Sequence, residues 1–306
     1  MNKTEARFCL LVNTFFGATQ YVFLAGVPSS VSQFAFLFIT SLTGFLITLT
    51  LFRNELFRLD KKQVLQCLLL AGETLPYNLF LMMGTSGTEA TVSSCVSSAY
   101  FVFVPLLTLI LFRKKPEKNT LAGIAIVLAG LFLMMNAAVT RLMDAHILYL
   151  LAADMFFALY LITAGHFTTG SNPAILTMVE LFFRSLFALV LWTGESLLTG
   201  GSMTFPTEPA FWGAVLFTGL FVRGMCGVLR LYAQRYVSPL QTSLIFSTQI
   251  IMTMAASPAL ALAFGTAAEQ ITPMRVLGAV TMIAGILLAD AGVFTALKKK
   301  FGRSST

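Results

Sequence analysis

The sequence predicts an all-α integral membrane protein of ten transmembrane helices, arranged as an inverted five-plus-five repeat with both termini cytoplasmic. Three observations carry this. First, 57% of the 306 residues are hydrophobic and only 11% are charged, with a mean hydropathy of +0.83. Soluble domains carry roughly 25% charged residues, so water is not the main solvent of this chain. Second, the apolar residues fall into ten stretches, about 8–26, 31–52, 63–83, 90–112, 120–138, 145–166, 173–193, 209–234, 239–264 and 273–296. A membrane helix needs about 20 mostly apolar residues, and a lipid-facing backbone must be helical or a closed barrel. Little chain remains for a soluble domain. Third, the cations are sorted by side.

With the amino terminus inside, the inner loops and ends hold Lys3, Arg7, Arg53, Arg58, Lys61, Lys62, Arg113, Lys114, Lys115, Lys118, Arg235, Lys298, Lys299, Lys300 and Arg303. The outer side holds Arg141 and Arg275, while Arg184, Arg223 and Arg230 lie within helices. This follows the positive-inside rule and favours an even helix number. The formal net charge of +7 therefore reads as orientation in a cell (inner) membrane, with the bilayer as partner and no nucleic acid. Cys9, Cys67, Cys95 and Cys226 are scattered singly, without metal-like spacing, and no disulfide is expected. The first helix follows a short basic start and suits an uncleaved anchor.

Helix one carries Asn13, Thr14, Gln20 and Tyr21. Asn13 and Gln20 share a face at a spacing of seven, either for interhelical hydrogen bonding or to line a cavity. Helix two ends at the basic loop RNELFRLDKK. Helix three carries Glu73, Pro76, Tyr77 and Asn78. Glu73 and Tyr77 share a face, and Pro76 permits a bend. Glu73 is either a paired group holding helices together or a proton or cation site. In helix four, Ser93, Ser94, Ser97 and Ser98 form one small hydroxyl-rich face for close packing or for pore lining, and Tyr100 and Pro105 follow. Helix five is plain.

Residues 121–134, LAGIAIVLAGLFLM, resemble 276–289, VLGAVTMIAGILLA, at a constant offset of 155. Gly123 matches Gly278, and Ala129-Gly130 matches Ala284-Gly285. Two five-helix copies follow, 1–140 and 141–306, and an odd helix count inverts the second. Inverted repeats place a binding site at their interface near mid-membrane.

In helix six, Asp154 is central, to meet Arg223 or a cation; Tyr160 follows, and His166 lies at the solvated inner end. In helix seven, Glu180 and Arg184 have the i,i+4 spacing of an intrahelical pair. Glu195, Gly200, Gly201 and Glu208 belong to the outer loop. In helix eight, Gly219, Arg223, Gly227, Arg230 and Gln234 recur as one helical stripe. Arg230 is five residues from Arg235, about 7 Å, and can snorkel to the inner surface. Arg223 is too deep to do so and faces the interior, either gripping a carboxylate substrate or pairing with Asp154 or Glu180. Helix nine adds Ser243, Ser247 and Gln249. Asp290, at the inner end of helix ten, reads as structural.

The stretches GTEATVSSCVSSAYFVFVPLLTLILFRKKPEKNTLAGIAIVLAGLFLM, LYAQRYVSPLQTSLIFSTQIIMT and EQITPMRVLGAVTMIAGILLAD resemble the EamA-type repeat of the drug/metabolite transporter superfamily, over both halves. Where that family often has Glu-Pro in helix nine, this chain has Gln249-Ile250; its usual Gly-Glu before helix ten is spread over Gly265 and Glu269. The resemblance implies ten helices and a central cavity walled by helices one, three, four, six, eight and nine. It also implies transport of amino acids, related metabolites or organic cations, many of them outward.

The residues expected at a substrate site are Asn13, Gln20, Tyr77, Asn78, Ser94, Ser97, Tyr100, Asp154, Arg223, Ser247 and Gln249. Glu73 and Asp154 are the expected proton- or ion-coupling groups. Export of amino-acid-like metabolites by alternating access is the first reading, and organic cations or quaternary amines are the alternative. No GxxxxGK loop is present for nucleotide. Two histidines without GxSxG or HExxH do not make an intramembrane enzyme, and a scaffold would not need charges inside helices. No cofactor or metal is expected, and the protein is a monomer or homodimer.

Overall fold

The computed structural model describes residues 1–25, 27, 31–134, 144–201, 203–264 and 271–289. Arg141, Gly265, Glu269, Asp290, Lys298, Lys299, Lys300 and Arg303 lie outside them. Among the described residues every regular element is helical. In chain order these are α1 (Lys3–Ala25), α2 (Gln33–Phe52), a 3₁₀ turn (Arg53–Arg58), α3 (Lys61–Thr85), α4 (Ala90–Val96), α5 (Tyr100–Phe112), α6 (Lys118–Met134) and α7 (Ala145–Phe167). They are followed by α8 (Pro173–Thr199), α9 (Pro209–Leu216), a π-helical segment (Phe217–Met225), α10 (Cys226–Gln234), α11 (Pro239–Phe246), α12 (Gln249–Phe264) and α13 (Pro273–Ala289).

The starts are chemically defined. Asp60 and Gln63 form a reciprocal capping box at α3, which satisfies two of the donors a helix start leaves free. Asn172 caps α8 and Ser238 caps α11, each followed by proline at the first helical position, where the missing N–H costs nothing. Gly200 ends α8 at φ 66°, a conformation that glycine adopts without a Cβ clash.

Six spans are long and apolar enough to cross a bilayer: Gln33–Arg58, Lys61–Thr85, Ala90–Phe112, Ala145–Phe167, Pro173–Thr199 and Phe211–Gln234. The remaining expected segments are α1, α6, α11 with α12, and α13. The first is diluted by Lys3, Glu5, Arg7, Asn13 and Gln20, while α6 and α13 are 17 residues each. The outer surface suits lipid: Leu46, Leu65, Ile110, Val190, Leu216 and Val280 are exposed large apolar side chains.

Helices four, eight and nine are not the continuous rods expected from the sequence. Helix four breaks at residues 97–99, where Ser98 and Ala99 donate to the carbonyls of Cys95 and Val96 in tight i→i−3 bonds. Helix nine breaks at 247–248, where Thr248 donates to Ile245. Ser94 and Ser98 side chains bond back to the carbonyls of Thr91 and Ser94, and Ser247 does so to Ser243. Such back-bonding competes with the regular ladder and bends helices. Helix eight opens into the π-helical segment at its centre.

The helices pair in a pattern that maps onto itself when the two halves are exchanged. Thus α6 packs on α13, and α2 packs on α8. The pairing of α3 with α7 corresponds to that of the π segment and α10 with α1, and that of α5 with α7 to that of α12 with α1. At the α6–α13 contact the glycines bring backbone close to backbone, with the Met282, Ala289 and Val127 side chains beside them. A Cβ on Gly123 would lie 2.5 Å from the Gly285 carbonyl oxygen, and one on Gly130 would lie 2.7 Å from that of Gly278. These are the glycines of the internal repeat, so their recurrence has a packing cause. Gly123→Leu should therefore lower stability by about 1–3 kcal/mol, as overpacking does, seen as a lower Tm in detergent. An unchanged Tm would show that the two helices part freely.

Candidate functional site

The middle of the bundle holds a cavity of about 50 Å³. Gln20 of α1 borders it, with Thr74, Tyr77 and Asn78 of α3, Phe157 of α7 and Thr177, Glu180, Leu181 and Arg184 of α8. Helix eight completes the wall with Val222, Arg223, Gly227 and Arg230. An unpaired charge in such a place is expensive; here Glu180 and Arg184 form an ion pair, while Arg223 and Arg230 are held by the neutral partners Asn78 and Tyr160.

Glu180 is the hub. Its Oε1 accepts from Arg184 Nη1 at 3.2 Å and from Thr74 Oγ1 at 3.0 Å, and its Oε2 accepts from Tyr160 OH at 3.4 Å. Arg184 Nε donates onward to Ser41 Oγ at 3.2 Å. Arg230 Nη2 donates to Tyr160 OH at 3.0 Å, and its guanidinium lies 4.8 Å from the centre of the Tyr160 ring, within cation–π range. Tyr77 stacks on Phe157 with centroids 4.7 Å apart.

Arg223 is 6% exposed. Its Nη1 donates to Asn78 Oδ1 at 2.8 Å, while Nε and Nη2 have no hydrogen-bond partner among the described residues. It pairs with neither Asp154 nor Glu180, the two partners the sequence allowed.

The single stripe expected on helix eight divides. Gly219 and Gly224 turn to α2, where a Cβ on Gly44 would meet the Gly219 carbonyl oxygen at 3.0 Å. Arg223, Gly227 and Arg230 border the cavity, and Gln234 donates to the Leu161 carbonyl. The cause is the π segment, whose wider turn breaks the 3.6-residue period on which the stripe was built. Arg230 stays on the face of Arg223 and Gly227, as the stripe had it, and reaches Tyr160, so it does not snorkel to the inner surface.

Of the expected site residues, Gln20, Tyr77, Asn78 and Arg223 meet at this cavity. Ser94, Ser97, Tyr100, Asp154, Ser247 and Gln249 form a neighbouring buried cluster around the two helix breaks. Gln249 Nε2 lies 3.4 Å from the carbonyls of both Ser94 and Ser97, and 3.3 Å from Tyr21 OH. Asp154 is fully buried and lies beside the backbone N–H groups of Ala99 and Tyr100, with neither carboxyl oxygen in hydrogen-bond geometry. Phe157 stands between the two groups, edge-on to Tyr100 at 5.1 Å.

Two residues lie elsewhere. Asn13 donates to the Cys226 carbonyl at 2.5 Å and ties α1 to α10. Glu73 Oε1 accepts from Thr163 at 2.9 Å across α3 and α7, leaving Oε2 without a partner among the described residues. The sequence signalled Glu180 and Arg184 as a pair by their spacing, but carried no sign that the pair faces the cavity.

A second cavity, of about 750 Å³, lies at the end of the bundle away from the basic loops. Leu24, Met82, Thr85, Trp192, Glu195 and Glu208 are among its walls. The basic end has a smaller pocket of about 260 Å³, with Thr108, Lys115, Ser238 and Gln241 among its walls, and several ties between segments. Asn172 Nδ2 donates to Glu55 at 2.9 Å, Ser171 Oγ to Gln66 at 2.7 Å, and Arg235 to the carbonyls of Thr168 and Ser171 at 3.0 and 2.7 Å.

The Glu180–Arg184 pair should be coupled. Arg184→Leu alone is expected to cost about 3–5 kcal/mol, because it strands a buried carboxylate. Adding Glu180→Gln should restore part of that loss. A double-mutant cycle in detergent checks this, and strict additivity would show that the two groups do not depend on each other.

A family model described as the EamA-like transporter family matches residues 6–136 and 145–289. An uncharacterized transporter of Archaeoglobus fulgidus is 22% identical over 214 residues, covering 70% of this chain. The aligned part spans 65% of that relative's length. A solved crystal structure of a protein superposes with a TM-score of 0.65 at 15% identity, covering 94% of this chain and 96% of the other; this similarity concerns the fold.

Proposed function

This chain belongs to the EamA-like transporter family and is a multi-pass membrane protein, and from that premise we propose that it is a secondary-active transporter of small metabolites. The substrates in this reading are amino acids or related compounds, moved outward by alternating access. The observation that carries it is the central cavity. A bilayer protein that buries Glu180, Arg184 and Arg223 around one polar space, with walls from both matched halves, holds costly groups where a passing solute would meet them.

The spans are ten in this reading, five per half, with the second half inverted and both termini on the basic, cytoplasmic side. The exchange symmetry of the helix pairings and the sorting of the cations support it. The wide cavity at one end, against a smaller pocket and several ties at the basic end, supports a carrier open mainly to one side. Glu73 and Asp154, buried carboxyls each with an unpartnered oxygen, are the groups proposed to couple transport to a proton or cation gradient.

Two experiments test the reading. In intact cells, a membrane-impermeant maleimide should label Thr199→Cys, and should label Lys115→Cys only after permeabilisation; the reverse pattern would overturn the orientation. In proteoliposomes, wild type should exchange labelled amino acids or related metabolites against unlabelled ones without nucleotide. Arg223→Ala should lower the initial rate about tenfold or more, the value of a lost charged hydrogen bond. A mutant that keeps the full rate would remove the central cavity from the pathway.

A further inference from the structure

The ionisable side chains on the cavity wall set its charge. Arg184, Arg223 and Arg230 border it against one carboxylate, Glu180. That carboxylate already accepts from Arg184, Thr74 and Tyr160, so it has little left to offer a ligand's amine. Glu73 and Asp154 do not border this space. The donors are in the opposite condition. Arg223 has two N–H-bearing nitrogens, Nε and Nη2, without a partner among the described residues, and Arg230 Nε is in the same state. On a guanidinium, Nε and one terminal nitrogen form the fork that matches the two oxygens of a carboxylate.

Asn78 fixes which edge of Arg223 is presented. Its side-chain oxygen accepts from Nη1 at 2.8 Å, while its own amide donates to the Thr74 carbonyl at 2.6 Å. Both ends of Asn78 are thus committed, so Arg223, which borders the cavity, keeps Nε and Nη2 for another partner. The rest of the wall is neutral: Tyr77 stacked on Phe157, Gly227 opposite Thr177, and Gln20, Leu181 and Val222.

Resting on the transport reading above, we propose that this site selects organic anions, gripping a carboxylate on the free fork of Arg223 with the ligand's apolar part against Tyr77 and Phe157 once the space of about 50 Å³ widens to admit it. An amine group is not required: the one carboxylate on the wall is already taken by Arg184, Thr74 and Tyr160, and a neutral acceptor such as the Gln20 amide is what the wall leaves to it. Asn78 is a positioning residue for Arg223.

The test compares matched sets of one carbon skeleton: phenylalanine, 3-phenylpropionate, its methyl ester and phenethylamine, with leucine, 4-methylpentanoate, its methyl ester and isoamylamine as a second set. Binding to purified wild-type protein is read by thermal shift and by counterflow in proteoliposomes. The free acids should bind at least about tenfold more tightly than their esters and amines, the value of one charge-assisted fork. Arg223→Gln should abolish that preference, and Arg223→Lys should keep part of it. The ester comparison needs only wild type, so it stands even where a variant fails to fold.

Equal affinity for acid and ester overturns the carboxylate assignment, as does tighter binding of the amines, while leaving transport intact. Zwitterions bound tenfold above the amine-free acids would overturn the statement that no amine is required. Absence of binding and counterflow with every member, together with failure of the amino-acid exchange described above, would overturn the transport reading itself.

Discussion

A chain dissolved in lipid has no water to settle its charges, so each charge placed in the interior dictates what surrounds it. Glu180 is where that constraint is tightest. Its acceptor set draws Thr74 from α3, Tyr160 from α7 and Arg184 from its own helix, and Arg184 in turn holds Ser41 of α2. Tyr160 passes the contact to Arg230 of α10. Five helices are thereby fixed around one carboxylate. The glycine contacts let them reach it, since Gly44 lies against Gly219 and Gly224 with no side chain between. The network is polar, but small residues at the helix crossings are its precondition.

The broken helices follow the same logic on the backbone. Interrupting a helix in lipid frees N–H and C=O groups that need partners. At the break in helix four, the freed carbonyls of Ser94 and Ser97 lie within reach of the Gln249 amide. The N–H groups of Ala99 and Tyr100, at the start of α5, lie beside Asp154, the charge sign that a helix start favours. A glutamine in helix nine and an aspartate in helix six, which look unrelated in the sequence, thus serve the two poles of one discontinuity. Gln249 also begins α12 at the break in the other half.

Helix limits were legible because their signals are local. The Asp60–Gln63 box and the Asn172-Pro173 and Ser238-Pro239 pairs mark starts that agree with the apolar stretches to within a few residues. The internal repeat was legible because Gly123 and Gly130 meet their counterparts' helix directly. Arg223 was recognisable as interior by its depth alone. Arg230 was half legible: its stripe with Arg223 and Gly227 holds, but its nearness to Arg235 pointed to the inner surface, because the Tyr160 hydroxyl that holds it comes from another helix. Nor could spacing show where Glu180 and Arg184 point. The flanks of α8 are apolar on every side, and i,i+4 pairs read alike on an exposed face and a buried one. Asn13 follows the first of its two readings, interhelical hydrogen bonding, but its particular partner was not legible because it is a backbone carbonyl, which every residue possesses.

The two cavities are arranged along the same helices. On α3, Asn78 borders the central cavity and Met82 the wide one; on α1, Gln20 borders the first and Leu24 the second. Each step is four residues, about 6 Å, or little more than one turn. On α8 the step from Arg184 to Trp192 is eight residues, because this helix also carries the charge network. The barrier a solute faces between the two spaces is therefore thin on α1 and α3 and thick on α8. The side chains of α1 and α3 in that one-turn layer, including Leu81 and Tyr21, are packed by apolar and single polar contacts. At the central cavity itself α3 joins the charge network through Thr74 and Asn78, so the same helix is tied to its charged neighbours at one depth and held by weaker contacts one turn further along.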